Sequence, residues 1–136
     1  GANYDFFERL DGFDALCQAY GLQFKDTVDM EMGLKYDAIR QKEIDVVNAF
    51  TTDGQLSSSN VTVLADDKGF YPSYMCGFVV RDEVLAAHPE LLDVFKKVEN
   101  ILTDEKMAHM NYQVEVEGQD PAAVATNFLK EAGLVK

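Results

Sequence analysis

Apolar side chains recur at helical spacing in several parts of the chain. Between Asp11, which suits an N-cap, and Gly21, which suits a helix end, they repeat with the period of a helix. Thr103 and Asp120 give similar start signals further on. These patterns predict helices over residues 12–20, 34–41, 82–87, 89–102, 104–112 and 121–132, with a shorter one in the polar stretch before residue 57.

Runs rich in β-branched and aromatic residues separate these helices. They predict strands over residues 23–30, 43–50, 61–64 and 75–81. Strands that alternate with helices are typical of an α/β fold with a mostly parallel sheet. The pattern changes near residues 70–74, because beyond them one strand is followed by helices only. We therefore place a domain boundary there.

Length and charge narrow the function classes. With 136 residues, the chain makes one ordinary domain or two small lobes. Its formal net charge is −12, which disfavours binding to nucleic acid phosphates but not to a small cation. No apolar run reaches the roughly 20 residues that a membrane helix needs.

The residues that usually carry catalysis or bind metals occur here without a recognisable motif. His88 and His109 lack the spacing of a zinc site, and no nucleophile or phosphate-loop motif is present. We expect no enzymatic activity, no metal and no cofactor. Cys17 and Cys76 allow one disulfide or two buried thiols, and the helical pattern around Cys17 favours buried thiols.

The placement of three side chains suggests a ligand. Phe50 ends a predicted strand, where open α/β sheets bind their ligands, and Tyr74 lies in the segment that crosses the boundary. Aromatic faces attract quaternary ammonium groups, which have no N–H to donate. Arg9 suits a carboxylate, which it can bind with two hydrogen bonds. Together these groups would fit a zwitterion such as a betaine.

Five short blocks of sequence strengthen this hypothesis. They are D-F-F-E-R-L-D-G-F at 5–13, G-L-K-Y-D-A-I at 33–39, I-D-V-V-N-A-F-T-T-D-G at 44–54, L-A-D-D-K-G-F-Y-P-S-Y at 64–74 and H-P-E-L at 88–91. In this order they resemble the substrate-binding proteins of glycine betaine/carnitine/choline ABC importers. The similarity extends over nearly the whole chain.

The resemblance implies a fold. Members of this family have a two-lobed periplasmic-binding-protein architecture of type II, which is α/β and closes on its ligand. Residues 1–73 are expected to form most of the second, ligand-closing lobe. Residues 74–136 are expected to form the strand and helices that return to the first lobe. On this view the chain is truncated, and the N-terminal part of the first lobe is absent.

The resemblance also implies a set of ligand-binding residues. Arg9 matches the arginine that meets the ligand carboxylate, and Asp5 stands where the family often has Glu. Phe50 replaces a cage tyrosine, which keeps the aromatic face but loses the hydroxyl. Tyr74 matches a second cage tyrosine, and Thr51 is a candidate lining hydroxyl.

The implied partners are a small quaternary-amine ligand and the membrane permease of an ABC transporter, at an extracytoplasmic location. Two alternatives stay open. The first is an interaction domain of the same fold that has lost ligand binding and whose exposed apolar face is covered by a second copy of the chain, as a homodimer. The second is an enzyme acting on a small cationic substrate, although no nucleophile or metal motif supports it.

Overall fold

The computed structural model describes residues 1–71 and 75–136. The helices in these residues are α1 Tyr4–Glu8, α2 Phe13–Tyr20, α3 Lys35–Arg40, α4 Asp82–Ala87, α5 Glu90–Lys96, α6 Asp104–Glu115 and α7 Pro121–Glu131. None of these helices is long and apolar enough to cross a membrane. The chain divides into two compact units, Gly1–Phe50 with Leu56–Ser73 and Thr51–Gln55 with Tyr74–Lys136.

A phenylalanine cluster organises the first unit, in which α1 packs against α2. The rings of Phe6 and Phe7 on α1 lie 6.4 Å and 5.2 Å from that of Phe13 at the start of α2. Phe13 in turn lies 5.7 Å from the ring of Phe24, in the segment after the helix. Such tilted aromatic pairs add to the free energy gained by burying the rings.

The first two residues of the chain pair with extended segments of the first unit. Ala2 donates its N–H to the carbonyl of Val28 at 3.1 Å and accepts from the N–H of Met30 at 3.0 Å. This is the pattern of a parallel bridge. The ammonium group of Gly1 donates to the carbonyl of Val46 at 2.7 Å. Gly1 and Ala2 therefore join two segments that the sequence predicts as strands.

The prediction of four strands is wrong for the described residues, in which the bridge between Ala2 and Asp29 is the β-pairing that is assigned. A strand forms only when a neighbour supplies the other half of the hydrogen-bond ladder. Gly1 and Ala2 make such hydrogen bonds to the segments at 28–30 and 46–48 at only a few positions. Leu64 and Val79, each an apolar residue of one of the other two predicted strands, are 81% and 102% exposed. These two side chains therefore lack the packing that a half-buried strand would give them.

Helices α4 to α7 belong to the second unit, in which α4 packs on α5 and α6 packs on α7. The side chain of Val124 on α7 is buried there. The ring of Phe95 on α5 stacks on Phe78, with 4.7 Å between the ring centres. Few of the side chains described in this unit are fully buried, so the helix pairs form a thin core.

Three predicted helix-end residues, Thr103, Asp120 and Gly21, are confirmed. The Thr103 hydroxyl accepts from the N–H of Lys106 at 3.3 Å and begins α6. The Asp120 carboxylate accepts from the N–H of Ala123 at 2.8 Å and begins α7. Gly21 ends α2 in the left-handed conformation, with φ of 68°. These signals act within one helical turn, so they can be predicted from the local sequence.

The prediction of Asp11 as an N-cap is wrong, because the N-cap of α2 is Gly12, without a side-chain cap hydrogen bond. The Asp11 carboxylate instead accepts from the guanidinium of Arg9.

Several helix boundaries differ from the prediction. The short helix α1 was not predicted, and residues 54–58 form turns instead of the predicted short helix. Helix α5 ends at Lys96 instead of reaching residue 102, and Asn100 beyond it has a φ of 59°. Helix α6 continues to Glu115, although V-E-V-E at 114–117 reads as an extended segment.

Both cysteines of the described residues are free. Cys17 is half-buried on α2, and burial, with a smaller contribution from the carboxylate of Asp14, raises the pKa of its thiol. Cys76 is exposed, so the expectation of a buried thiol is wrong at that position.

Candidate functional site

Arg9 follows α1 and is held by the residues around it. Its N–H donates to the carbonyl of Asp5 at 3.1 Å, which places it at the helix end. Its guanidinium donates to both carboxylate oxygens of Asp11, at 2.8 Å from Nε and 2.6 Å from Nη2. This hydrogen bonding holds the pKa of Asp11 below its usual range. The Arg9 and Asp11 side chains are 42% and 61% exposed, so water weakens the pair and a ligand carboxylate can compete for it.

Phe50 lies beside an unexpected cation. The ammonium of Lys35 lies over the half-buried ring of Phe50, 5.5 Å from its centre, and over the ring of Tyr36 at 5.2 Å. Lys35 and Tyr36 on α3 are only 3% and 2% exposed. A lysine is rarely buried this far, and both rings offer it a cation–π contact.

Thr51 is a surface residue that anchors a turn in the second unit. Its hydroxyl donates to a carboxylate oxygen of Asp104, the first residue of α6, at 2.7 Å. The next carbonyl, that of Thr52, accepts from the side-chain amide of Asn111 on the same helix at 2.8 Å. The turn at 51–54 is therefore docked along α6. Thr51 uses its proton on Asp104, so towards a ligand its hydroxyl oxygen is left as an acceptor.

Tyr74 lies outside the described residues, but the turn that precedes it is well defined. We call residues 66–71 the Asp66 turn. One carboxylate oxygen of Asp66 accepts from the N–H of Phe70 and the other from the N–H of Tyr71, both at 2.9 Å. The Tyr20 hydroxyl on α2 donates to the same carboxylate. Asp66 thus ties the turn to the end of α2.

Lys68 completes this anchor. Its ammonium donates to the carbonyl of Ala19 at 2.6 Å and lies 4.9 Å from the centre of the Tyr20 ring. The hydrogen bond from Tyr20 is the largest cause that lowers the pKa of the Asp66 carboxyl, and it raises the pKa of the Tyr20 hydroxyl in turn. The charged form of Asp66 is therefore the form that holds the turn.

We expect Asp66→Asn to release this turn, because an amide cannot accept from both N–H groups and the hydroxyl. Hydrogen exchange at the N–H groups of Phe70 and Tyr71 should become about tenfold faster or more. Acid should have the same effect. The pKa of Asp66 is lowered by folding, so its contribution is present above about pH 4 and is lost as the pH falls through the folded-state value.

Asp67→Asn is the matched control, since it removes the same charge one position further on. It should leave exchange at Phe70 and Tyr71 within about twofold of the parent. Equal acceleration in both variants would mean that Asp66 acts only through charge, and no acceleration in Asp66→Asn would contradict the assignment.

A cavity of about 310 Å³ opens elsewhere in the first unit. Its apolar lining includes the phenylalanine cluster of α1, α2 and Phe24. Its polar lining includes Asn48, whose buried side-chain oxygen has no hydrogen-bond partner among the described residues. Among the described residues that line it, neither Arg9 nor Phe50 is present. The cavity is therefore a gap beside the aromatic core and is not the predicted binding site.

Each predicted ligand-binding residue that the structure describes therefore contacts different neighbours. Arg9 and Asp5 lie at the end and start of α1, Phe50 lies beside Lys35, and Thr51 is anchored to α6. Sequence reasoning missed Lys35, although it stands between apolar residues in G-L-K-Y. In residues 1–71 and 75–136 no group of three or more His, Cys, Asp or Glu side chains could hold a metal ion.

Comparison with known proteins gives a consistent result. The family model described as the substrate-binding domain of the ABC-type glycine betaine transport system matches residues 1–131. An ergothioneine transport permease/ergothioneine binding protein of Helicobacter pylori is 41% identical over 134 residues, which are 98% of this chain and 24% of that protein. A glycine-betaine-binding protein of Pseudomonas aeruginosa is 37% identical over 133 residues, 96% of this chain and 43% of that protein.

A solved structure agrees with these relatives. The crystal structure of a glycine betaine/carnitine/choline ABC transporter superposes with a TM-score of 0.78 at 34% identity, and the match covers 98% of this chain and 49% of that one. This chain therefore spans half or less of the proteins that it matches. The fold shared with this solved structure agrees with the family expected from the five sequence blocks. The chain belongs to the family of substrate-binding domains of ABC-type glycine betaine transport systems.

Proposed function

We propose that this chain forms part of the solute-binding component of an ABC importer for quaternary-ammonium zwitterions. The observation that carries the proposal is what the named relatives bind. Glycine betaine and ergothioneine, named in two relatives, and carnitine, named in a third that is 34% identical, all combine a trimethylammonium group with a carboxylate. Aromatic rings and an arginine are the protein groups that complement those two charges.

In this proposal Phe50 and Tyr74 contact the trimethylammonium group by cation–π interactions. Arg9 binds the carboxylate, while Asp5 and the hydroxyl oxygen of Thr51 line the same site. The Arg9–Asp11 pair supports the arginine's role, because it holds the guanidinium in a fixed orientation near the surface. A ligand carboxylate would then replace or share one carboxylate partner without the cost of ordering a free side chain.

The domain organisation and the partners are part of the same proposal. Residues 1–73 would form most of the ligand-closing lobe and residues 74–136 the returning part of the other, with the turn at 51–54 packed in the second unit. The partner would be a membrane permease, and the site of action would be outside the cytoplasm. The enzyme alternative gains no support from the relatives, which are transport binding proteins. The homodimer stays a prediction.

Calorimetry on the full-length protein tests the function. Glycine betaine, carnitine and ergothioneine are expected to bind, and Arg9→Ala should weaken their binding about 30-fold or more, because it removes a charge-assisted contact with the carboxylate. Choline has no carboxylate, so Arg9→Ala should change its affinity much less. Phe50→Ala should weaken binding of all four ligands.

Arg40→Ala is the matched control. Arg40 is another exposed arginine of the first unit that pairs with a nearby aspartate, Asp37. Its removal should leave all affinities within about twofold of the parent. Absence of zwitterion binding by the full-length protein, or binding that survives Arg9→Ala combined with Phe50→Ala, would contradict the proposed function.

A further inference from the structure

Gly1 and Ala2 lie between two extended segments of the first unit and form hydrogen bonds with both. Gly1 donates to the carbonyl of Val46 at 2.7 Å and accepts from the N–H of Asn48 at 3.3 Å. Ala2 bonds in the same manner to the segment at 28–30. Each pair of bonds has the pattern of a parallel ladder, so Gly1 and Ala2 hold the middle position between the two segments.

The two flanking segments offer further bonding positions beyond those that Gly1 and Ala2 use. The N–H groups of Val28 and Val46 and the carbonyls of Asp26 and Ile44 make none of the backbone hydrogen bonds found among the described residues. Bonding positions recur every two residues along a parallel ladder. These four groups are therefore the ones to which the next two residues of a middle strand would bond.

The cavity of about 310 Å³ follows the same part of the two segments. Its lining includes residues 24–28, residues 43–48 and the phenylalanine cluster. Phe24, Val28 and Val46 in this lining are 40%, 43% and 46% exposed. An extended chain rises about 3.3 Å per residue, so the length of residues 24–28 has room for a segment of about four residues. The apolar lining and the open backbone groups together fit a β-strand.

We propose that the segment leading into Gly1 in the full-length protein fills this cavity as a strand. It would make residues 24–30 and 43–48 the flanking strands of a parallel three-stranded sheet. These are two of the segments whose composition predicts strands, so the inference also explains why they lack a ladder over most of their length.

The register of this strand follows from the observed bonds. The residue directly before Gly1 would accept from the N–H of Val28 and donate to the carbonyl of Asp26. The residue before that one would accept from the N–H of Val46 and donate to the carbonyl of Ile44. Side chains alternate between the two faces of a strand, so those of the segment that face the phenylalanine cluster are expected to be apolar.

A segment joined to Gly1 fits the cavity better than a strand from a separate molecule. Gly1 and Ala2 already set the direction and the register, and a covalently continuous strand extends both without the cost of association. This chain spans half or less of the proteins that it matches, so those proteins contain residues beyond the matched part.

The strand would also fix the start of α1. Ala2 is followed by Asn3, the N-cap of α1, and Arg9 ends this helix. A middle strand bonded on both sides would therefore hold the connection from which Arg9 projects. The inference goes beyond the proposed function and does not depend on it, because its evidence is the backbone pairing within the first unit.

NMR spectroscopy of the full-length protein tests the inference. The N–H groups of Val28 and Val46 are expected to exchange about 100-fold more slowly, or slower still, than in an unstructured peptide. Val28 should show a scalar coupling across its hydrogen bond to the carbonyl of the residue directly before Gly1, and Val46 to that of the residue before it. Thr27 and Val47 are the matched controls. Their N–H groups alternate with those in the ladder, so they should show no coupling to the segment.

The possible results distinguish the strand from other occupants. Exchange at Val28 and Val46 as fast as in an unstructured peptide would overturn the inference, as would couplings to any segment other than the one that leads into Gly1. Couplings at Thr27 and Val47 in place of Val28 and Val46 would contradict the register. No solute is added, so none of these results bears on whether the protein binds a zwitterion.

Discussion

Gly54→Ala is expected to lower the free energy of unfolding of the second unit by about 2–3 kcal/mol. A methyl group at this position would lie 2.5 Å from the backbone nitrogen of Tyr112 and 2.6 Å from the carbonyl carbon of Asn111. Both atoms belong to the backbone of α6, which cannot move aside as a side chain can. The turn at 51–54 would have to leave the helix, with loss of the hydrogen bonds of Thr51 and Thr52.

Chemical denaturation followed by circular dichroism measures this effect. Gly77→Ala is the matched control, because it lies in the same unit with nothing within 4 Å of an added methyl group and without a positive φ. It should change the free energy of unfolding by no more than about 0.5 kcal/mol. Similar unfolding midpoints for the two variants would refute the close packing of Gly54 on α6.

This glycine also matters for the candidate site. Phe50 belongs to the first unit. The next residue, Thr51, begins the turn at 51–54, which belongs to the second unit and packs on α6 at Gly54. Undocking the segment would remove a fixed attachment point directly beyond Phe50. In Gly54→Ala we therefore expect weaker ligand binding as well as lower stability.

The features that the sequence predicted correctly are local ones. The Thr103 and Asp120 caps and the glycine at the end of α2 each depend on hydrogen bonds within one helical turn. The helix Asp82–Ala87 was predicted with its observed bounds, because Arg81 precedes an uninterrupted helical pattern and His88-Pro89 stops it.

The features that depend on distant residues were predicted less well. Residues 43–50 have the β-branched composition that is typical of a strand. Whether their backbone forms a hydrogen-bond ladder depends on the segment that lies next to them in the fold. Helix α6 continues past Tyr112 despite the β-branched residues that follow. Tertiary contacts along the helix, such as that of Asn111 with Thr52, outweigh a propensity difference of under 1 kcal/mol per residue.

For the candidate site, too, the sequence predicted some features, while others depend on distant residues. The arginine and aromatic positions were suggested by their placement in the predicted elements and strengthened by a resemblance that spans several blocks, and the chain belongs to the family so indicated. The partners of those residues could not be predicted, because they depend on the fold. The apolar neighbours of Lys35 in G-L-K-Y are compatible with its burial, but nothing in that local pattern indicates its contact with Phe50, which is 15 positions further along the chain.

Gly12→Ala is expected to destabilise the first unit by about 3–4 kcal/mol, which is more than Gly54→Ala destabilises the second. Here an added methyl group would lie 2.1 Å from the carbonyl oxygen of Phe6 and 2.9 Å from that of Arg9. The start of α2 therefore approaches the backbone of α1 more closely than any other residue type allows. Separating the two helices would also pull apart the phenylalanine cluster packed between them.

The ligand affinity of Gly12→Ala tests whether the close approach of Gly12 to the backbone of α1 also orients Arg9. Arg9 lies in the connection between α1 and α2. Gly33→Ala, in open space in the first unit, should behave like the parent in both stability and binding. Below the unfolding transition of Gly12→Ala, we expect glycine betaine to bind at least tenfold more weakly than to the parent, because the Arg9–Asp11 pair depends on the path of the chain between α1 and α2. If Gly12→Ala is folded and less stable but binds glycine betaine as tightly as the parent, then Gly12 contributes to stability without orienting Arg9 for the ligand. That result would also mean that the ligand carboxylate does not bind at Arg9.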